Sequence, residues 1–420
     1  MVPEGWAEAE VQDIASVSIG LVTTMTTNYR SSGVPLIRNS DIKHNYIRRT
    51  KLIFLDPDFA NKYPTRSLAA GDVVTVHTGD IGTSAVIEED LDGCLGFATL
   101  NARPNLEIVT SEFLSLYFNS ERFINFALRM ATGDGRNNFN LKDYRRGRVL
   151  LPPLNEQREL SRLEAVWRKA ILITENLIEN SRAQKKALMQ ELLTGKRRLP
   201  GFCEASELSD SKAGEVPSDW HVDHLSIFAS PITRKNSAGV KRVLTASGEH
   251  GLVDQREYFK RSVSSEDTSG YYHLKKGEFA YNRSSMKGYP YGAIKRLEDN
   301  DEGALSTLYL CFEVDKEACD ANFITHLFEA GVLNRQLRKI VQVGARAHGL
   351  LNITKKDFFS IYIALPSFEE QRAIAAVLNS ADKKTANLKN QLEYLQRQKR
   401  ALMQQLFTGK RRVKVDKEAG

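Results

Sequence analysis

The sequence has few cysteines, no long apolar run and no recognisable export signal. Its four cysteines form no Cys-x-x-Cys pair, so a zinc ribbon is not expected. Scattered cysteines in a chain of 420 residues are typical of reduced, buried thiols in a cytosolic protein. No run approaches the roughly 18 apolar residues of a membrane span, and MVPEGWAEAE at the N-terminus does not resemble a signal peptide. We therefore expect a cytoplasmic protein.

Motifs for several kinds of chemistry are also missing. An adenine methyltransferase needs an Asn-Pro-Pro-aromatic segment, and the only Pro-Pro lies in LPPLN at Leu151–Asn155. A P-loop needs Gly five residues before Gly-Lys, where this chain has Gln190 and Gln404. The carboxylates of Glu88–Asp92 read as a solvated loop, and His221–His224 offers no third metal ligand. The sequence thus predicts no catalytic residue, no metal site and no cofactor on this chain.

What the sequence does contain is a repeat with an offset of 214 residues. KALMQELLTGKRR at Lys186–Arg198 shares ten of thirteen positions with RALMQQLFTGKRR at Arg400–Arg412. Four matches at one offset indicate two copies of a unit of about 200 residues. The other three pairs are VPEGW and VPSDW (Val2–Trp6 and Val216–Trp220), KDY and KDF (Lys142–Tyr144 and Lys356–Phe358), and LPPLNEQR and LPSFEEQR (Leu151–Arg158 and Leu365–Arg372).

The first part of each copy is predicted to be α+β. The segment Gly71–Ile87 alternates apolar residues and breaks in the middle, which predicts a hairpin. Gly277–Ile294 has the same pattern in the second copy. One later helix is expected over Ser111–Met130, and its counterpart over Ala321–Ile340.

The second part of each copy is predicted to be one long helix. Glu156–Leu193 contains neither Gly nor Pro, and Gly195 and Gly409, each followed by Lys-Arg-Arg, are helix stops. Ser367 and Glu370 predict a capping box in the second copy. The aligned apolar positions form one stripe: Leu160/Ile374, Leu163/Val377, Trp167/Ala381, Ile171/Thr385, Ile178/Leu392, Leu188/Leu402 and Leu192/Leu406.

A helix of this length with a one-sided apolar stripe needs a partner, and the other copy is the nearest one. About 38 residues make roughly 57 Å of helix. Two such helices related by an internal two-fold pack antiparallel, as a coiled coil that holds the two α+β domains apart.

Basic residues concentrate just before the long helices, in a chain of formal net charge +7. Gly133–Arg148 has five basic and two acidic residues, and Asn334–Lys356 has six basic and none acidic. Ile37–Asp41 and Tyr281–Gly292 mix Arg, Asn and Ser in expected loops. Such clusters neutralise phosphates and read base edges, the alternative being a merely basic surface. The candidate DNA-binding residues are Arg38, Asn39, His77, Thr78, Arg136, Asn137, Asn138, Lys142, Arg145, Arg146, Arg283, Ser284, Ser285, Lys287, Arg346, His348, Lys355 and Lys356.

With these motifs the whole chain resembles the specificity subunit of type I restriction–modification systems. The resemblance is carried by LPPLNEQR, LPSFEEQR, the paired ALMQxLxTGKRR ends and the GD…G-x-x-G hairpin at Gly71–Gly82; the second hairpin departs from that pattern as SSMKGYPYG. It implies target recognition domains at 1–154 and 199–368, long-helix regions at 155–198 and 369–412, and a tail at 413–420. Each recognition domain is expected to read one half of a bipartite DNA site.

The resemblance also implies partners. Two methyltransferase subunits are expected on the helices, one per repeat, with restriction subunits joining the assembly through them. S-adenosylmethionine, ATP and Mg are expected on those subunits, and this subunit is expected not to be an enzyme. A helical scaffold and a self-contained DNA-modifying enzyme remain the alternatives. The expected partner-binding residues are Gln157, Arg158, Lys196, Arg197, Arg198, Gln371, Arg372, Lys410, Arg411 and Arg412.

Overall fold

The computed structural model describes residues 2–132, 137–202, 207–248, 250–259, 267–343 and 351–414. The chain forms two compact units. The first unit spans Met1–Glu175 and Asn390–Gly420, and the second spans Asn176–Lys389. Among the described residues no helix combines the length and the apolar character that crossing a membrane requires.

The first unit is built on two four-stranded sheets. One has the order β2-β11-β8-β9 and is antiparallel, and the other has the order β10-β4-β7-β3 with β10 parallel to β4. Two further pairs are β1 with β12 and β5 with β6. The strands are β1 Ala7–Glu10, β2 Ala15–Ile19, β3 Tyr29–Arg30, β4 Val34–Arg38, β5 Ile42–Lys43, β6 Tyr46–Ile47, β7 Ile53–Leu55, β8 Val73–Val76, β9 Ser84–Val86, β10 Leu95–Phe97, β11 Thr99–Pro104 and β12 Arg148–Leu151.

The helices of the first unit include the start of a long one, α6, of 39 residues. They are α1 Val11–Ile14, α2 Pro57–Ala60, α3 Ser111–Phe118, α4 Glu121–Met130, α5 Leu141–Arg145 and α6 Leu154–Leu192.

The second unit repeats the main sheet of the first. Its order β16-β23-β20-β21 matches β2-β11-β8-β9, and β15 pairs with β26 as β1 pairs with β12. The other pairs are β13–β14, β17–β18, β19–β22 and β24–β25. The strands are β13 Leu208–Ser211, β14 Gly214–Pro217, β15 His221–His224, β16 Ala229–Pro231, β17 Leu244–Ser247, β18 Gly251–Asp254, β19 Tyr272–Lys275, β20 Phe279–Asn282, β21 Ala293–Arg296, β22 Glu302–Leu305, β23 Tyr309–Val314, β24 Gln342–Val343, β25 Leu351–Asn352 and β26 Tyr362–Leu365.

The helices of the second unit include most of the second long helix, α12, of 40 residues. They are α7 Leu225–Phe228, α8 Gln255–Tyr258, α9 Ala321–Glu329, α10 Asn334–Ile340, α11 Lys355–Phe359 and α12 Phe368–Phe407. The two predicted hairpins are confirmed as β8–β9 and β20–β21. The two long helices, expected at about 155–194 and 369–408 within the long-helix regions, are observed at 154–192 and 368–407.

The prediction of one continuous helix over Ser111–Met130, and of one over Ala321–Ile340, is wrong in one respect. Each segment forms two helices, α3 and α4 in the first unit and α9 and α10 in the second. In the first unit Ser120 adopts an extended backbone and its hydroxyl caps the new helix at Phe123 N. The side chain of Asn119 meanwhile binds the backbone of Ser84. In the second unit the break follows Glu329, where Gly331 has a φ of +68°.

The long helices run antiparallel within each unit. In the first unit Lys399 pairs with Glu164 at 2.7 Å, and Leu406 shares a core with Leu160. In the second unit the hydroxyls of Ser181 and Thr385 lie 2.9 Å apart, and Lys185 pairs with Asp382. Every member of the predicted apolar stripe is buried or half-buried, which confirms the stripe.

The cap predicted at the start of α12 forms only in part. Ser367 Oγ accepts the backbone N–H of Glu370 at 3.3 Å, as a capping serine does. The Glu370 carboxylate does not complete the predicted box; it accepts hydrogen bonds from Arg198 instead. A strong charge partner therefore displaces the local cap.

Three of the four cysteines lie in the cores as expected. Cys94, Cys311 and Cys319 are free and buried, and burial raises the pKa of each thiol to about 12. These thiols are protonated and unreactive at neutral pH. Cys203 lies outside the described residues.

Candidate functional site

In the first unit the hairpin β8–β9 and the basic segment before α5 meet. Thr78, just past β8, pairs with Asn138 in an isolated β-bridge, and its hydroxyl donates to Asn138 Oδ1. Phe139 N donates to His77 O at 3.0 Å. Asn39 completes the cluster, because its side-chain oxygen accepts the backbone N–H of His77 at 3.2 Å. The fold thus brings together four residues from three separated predicted patches.

The hydrogen bonds of this cluster assign a protonation state to His77. Thr78 uses its single hydroxyl hydrogen on Asn138, so the 2.7 Å contact with His77 Nδ1 requires that this nitrogen carries the proton. Burial lowers the pKa of His77, so the ring is neutral at neutral pH. His77 therefore contributes a polar edge to this surface but no positive charge.

Positive charge at this place comes from α5 and from the residue that follows it. Lys142, Arg145 and Arg146 are exposed, and Asn137 beside them is exposed too. Asn140 caps the helix at Asp143 N, which fixes where these cations project. Arg136 lies outside the described residues.

The second unit brings the corresponding segments together. The hairpin β20–β21 carries Arg283 at the start of its loop, and Arg283 O accepts the backbone N–H of Leu351, in β25. Ser285 and Lys287 are exposed in the hairpin loop, with Ser284 half-buried. Lys355 and Lys356 on α11 are exposed, in the place that α5 has in the first unit. Arg346 and His348 lie outside the described residues.

Two of the predicted DNA-binding arginines make contacts within the fold. Arg283 donates to the carbonyls of Leu308, Ile353 and Thr307 at 2.8–3.3 Å. The Arg38 guanidinium forms a two-point pair with the fully buried Asp41, at 2.8 and 3.0 Å, and that pair raises the arginine's pKa. The charge of Arg38 is already paired, and three of the five N–H groups of Arg283 are already used, so both are weaker candidates for phosphate contacts than the exposed cations at α5 and α11.

The repeated sequence motifs meet at a second kind of site, which we call the first junction: Pro3–Trp6, Glu156 and Gly409–Arg412. Arg412 forms a two-point pair with Glu156 at 2.6 and 2.7 Å. Trp6 Nε1 donates to the same carboxylate at 3.2 Å, and the Trp6 ring lies 5.5 Å from the guanidinium. A Cβ on Gly409 would lie 2.2 Å from Pro3, so only glycine fits there.

The second junction comprises Pro217–Trp220, Glu370 and Gly195–Arg198. Arg198 forms the equivalent two-point pair with Glu370, both contacts at 2.6 Å, and adds two contacts to Asp219 at 2.9 and 3.0 Å. These carboxylates raise the pKa of Arg198. A Cβ on Gly195 would lie 2.2 Å from Pro217, as at the first junction.

The glutamine of each EQR motif is also used inside the chain. Gln157 accepts from Thr110 N at 2.9 Å and donates to the carbonyls of Ile108 and Pro152. Gln371 makes the same three bonds to Asp320, Ala318 and Pro366. Each glutamine is 1% exposed, which leaves no surface for a partner.

Of the predicted partner-binding residues, six remain available on the surface. Gln157 and Gln371 are buried, and Arg198 and Arg412 are engaged in the junctions. The sequence motifs identified these segments but did not distinguish their buried from their exposed positions. The junction residues Trp6, Glu156, Asp219 and Glu370 were missed, although VPxxW and EQR recur at the repeat offset. The exposed six are Arg158, Lys196, Arg197, Arg372, Lys410 and Arg411.

The comparisons with known proteins now decide the family. Residues 3–180 and 232–397 match the family described as type I restriction modification DNA specificity domain. The chain belongs to this family. Specificity subunits are the non-catalytic DNA-recognition component of type I restriction–modification systems, and this chain is such a subunit.

The similarity to individual relatives covers nearly the full length of this chain. The chain is 26% identical over 438 aligned residues to a putative type I restriction enzyme MjaX specificity subunit of Methanocaldococcus jannaschii, covering 99% of this chain and 95% of the relative. The HsdS subunit of Thermoanaerobacter tengcongensis has a TM-score of 0.50 at 18% identity, with 97% and 98% of the two chains covered. A chain from a structure of complex assembly in a type I R-M system has a TM-score of 0.58 at 18% identity, with the same coverage.

Proposed function

We propose that each unit of this specificity subunit contains one target recognition domain, at 1–154 and at 199–368, and that each domain reads one half of a bipartite, asymmetric DNA site. One observation carries this proposal. In both units the fold places a hairpin loop beside the segment that leads into a short basic helix, α5 or α11. The two domains differ in what those loops display, so the two half-sites differ.

The exposed groups at these places suit contacts to two different parts of DNA, the phosphates and the base edges. The cations of α5 and α11 neutralise phosphates, which supplies affinity without sequence information. The exposed side chains of Asn137, in the segment before α5, and of Ser285, in the hairpin loop of the second unit, offer donors and acceptors to base edges in the major groove. Reading then depends on the shape of each loop rather than on a residue-to-base code.

The repeated helix ends supply the same basic surface twice in the sequence, at Lys196–Arg197 and at Lys410–Arg411. This supports docking of two methyltransferase subunits, one for each copy. Those subunits carry S-adenosylmethionine and methylate adenine, and restriction subunits with ATP and Mg join through this core. The assembly acts in the cytoplasm against foreign DNA.

Exchanging one recognition domain tests the proposal. Residues 1–150 are replaced by the same region of another specificity subunit, and methylated positions are mapped in DNA from cells that carry the hybrid with its methyltransferase. One half of the methylated motif should change and the other half should stay. The reciprocal exchange of 199–368 is the matched control and should change only the other half. A hybrid that alters both halves together would show that the domains do not read independently.

A further inference from the structure

The loop of the hairpin β20–β21 is closed by a tight turn that exposes one cation. Met286 and Tyr289 exchange backbone hydrogen bonds at 3.2 and 2.9 Å, so that Lys287 and Gly288 form a two-residue turn. Gly288, the second central residue, has a φ of +87°, as a type II turn requires. Ser285, Lys287 and Gly288 are exposed, and we call Ser285–Gly288 the tip.

Directly behind the tip lies a buried polar cluster. Lys295, on β21, has a side chain that is only 7% exposed. Its ammonium donates to Gly248 O at 3.0 Å, to the Tyr289 hydroxyl at 2.7 Å and to Glu329 Oε1. The hydroxyl of Tyr289 donates to Glu329 Oε2 at 2.6 Å. All three hydrogens of the ammonium and the hydroxyl hydrogen are therefore used.

This cluster joins three separate parts of the second unit. Glu329 is the last residue of α9, a helix whose apolar side packs in the main core. Gly248 follows β17, and Lys295 belongs to the sheet that carries the hairpin. Burial and Glu329 raise the pKa of Tyr289, so its hydroxyl remains a donor at all physiological pH values. The base of the loop is held as well, because Tyr281 donates to Tyr291 O at 2.6 Å.

We propose that Tyr289, Lys295 and Glu329 are positioning residues that fix the tip for reading the half-site of the second domain. The inference rests on the proposed function. A tip with its neighbouring residues fixed loses little freedom on binding, and its donors and acceptors stay aligned with base edges. The cluster itself does not touch DNA. By holding the tip in place, the cluster improves discrimination between base pairs. Lys287 at the tip contacts the DNA itself.

Tyr289→Phe is the sharpest test, because it removes one hydroxyl and keeps the ring that lies 4.4 Å from the Lys295 ammonium. The complex with its methyltransferase subunits is titrated with site DNA, with single base-pair substitutions in each half-site, and with unrelated DNA at several salt concentrations. We expect the ratio of Kd values between wrong and right base pairs to fall about tenfold in the second half-site, since one good base contact is worth this much. Ratios in the first half-site, the affinity for unrelated DNA and the salt dependence should not change.

Two further variants serve as controls. One tests whether loss of any tyrosine hydroxyl in the second unit has the same effect, and the other tests whether the tip contacts DNA. Tyr362→Phe removes another tyrosine hydroxyl of the second unit, which binds Lys212 at 2.9 Å, and should leave all ratios unchanged. Lys287→Ala removes the cation of the tip, and should weaken binding to site and unrelated DNA alike while the salt slope falls by about one.

Three results would overturn the positioning role or its premise. A folded Tyr289→Phe complex that discriminates like the wild type would overturn it, and so would loss of discrimination in both half-sites. If Lys287→Ala leaves the affinity for DNA and the salt dependence unchanged, the tip does not touch DNA. The positioning role would then be overturned as well. A wild-type complex that discriminates in neither half-site would instead refute the proposed function, which is a separate failure.

Discussion

At the scale of single residues, the two junctions show why identical helix ends recur in the sequence. Glu156 and Glu370 are almost fully buried carboxylates, and a buried charge is tolerated only when it is paired and hydrogen-bonded. Arg412 and Arg198 supply that pairing with matching two-point geometry. The last arginine of TGKRR is therefore required by the fold, apart from any role in docking.

The two junction pairs are not equal in burial, and this gives a prediction. The Arg198 side chain is 11% exposed, whereas that of Arg412 is 43% exposed. Glu370→Gln should lower the unfolding free energy of the second unit by about 3 kcal/mol, because it leaves a shielded cation short of one partner. Glu156→Gln should cost the first unit about 1 kcal/mol, because water screens Arg412.

Hydrogen exchange read separately in the two units measures both effects. Glu369→Gln is the matched control, since Glu369 is exposed beside Glu370, and it should change stability by less than about 0.5 kcal/mol. Equal losses for Glu156→Gln and Glu370→Gln would contradict the argument from burial.

At the scale of elements, each long helix contributes to both units. The last turns of α12 complete the first unit, although that unit otherwise comes from the first 175 residues. Phe407 shows this most clearly, because its ring lies 6.3 Å from both Phe113 and Tyr117 in the core of the first unit. The first unit is therefore incomplete without the last turns of α12.

Phe407→Ala should destabilise the first unit and spare the second. Removing a buried phenyl ring from an aromatic core costs about 3–5 kcal/mol. Faster hydrogen exchange should appear in α3 and in the nearby strands of the first unit, while α9 and β20 exchange as in the wild type. Gln405→Ala, at an exposed position two residues earlier, should have no such effect. Faster exchange in both units would mean that they unfold as one cooperative block.

At the scale of the whole molecule, the structure shows which basic residues can be changed to test the docking of methyltransferase subunits. Arg198 and Arg412 cannot be reversed in charge without breaking a junction, so the docking test uses their exposed neighbours. Lys196→Glu with Arg197→Glu should reduce assembly from two methyltransferase subunits to one, because two attractive charges become repulsive. Lys410→Glu with Arg411→Glu should have the same effect at the other copy, and native mass measurement gives the stoichiometry.

The control for docking is a reversal of two adjacent lysines elsewhere. Lys275→Glu with Lys276→Glu changes the net charge by the same amount on exposed residues of the second unit, and two methyltransferase subunits should still bind. If the helix-end variants also keep both subunits, the repeated ends serve the junctions alone.

The sequence by itself determined the repeat, the two hairpins and both long helices. These features depend on local periodicity, on glycine at the stops and on similarity at a fixed offset, all of which are written along the chain. The family followed from the same motifs. The break at Ser120 was not predicted, since the apolar pattern continues across it and a hydroxyl cap with a contact from Asn119 to Ser84 decides it.

Only the tertiary structure decided which residues of the motifs face inward. Gln157 and Arg158 are neighbours in the EQR motif, yet the first is buried and the second is exposed. Arg197 and Arg198 are chemically identical, yet only Arg198 reaches Glu370, 172 positions away. Burial and charge pairing depend on contacts between distant segments, and a linear pattern does not contain those distances.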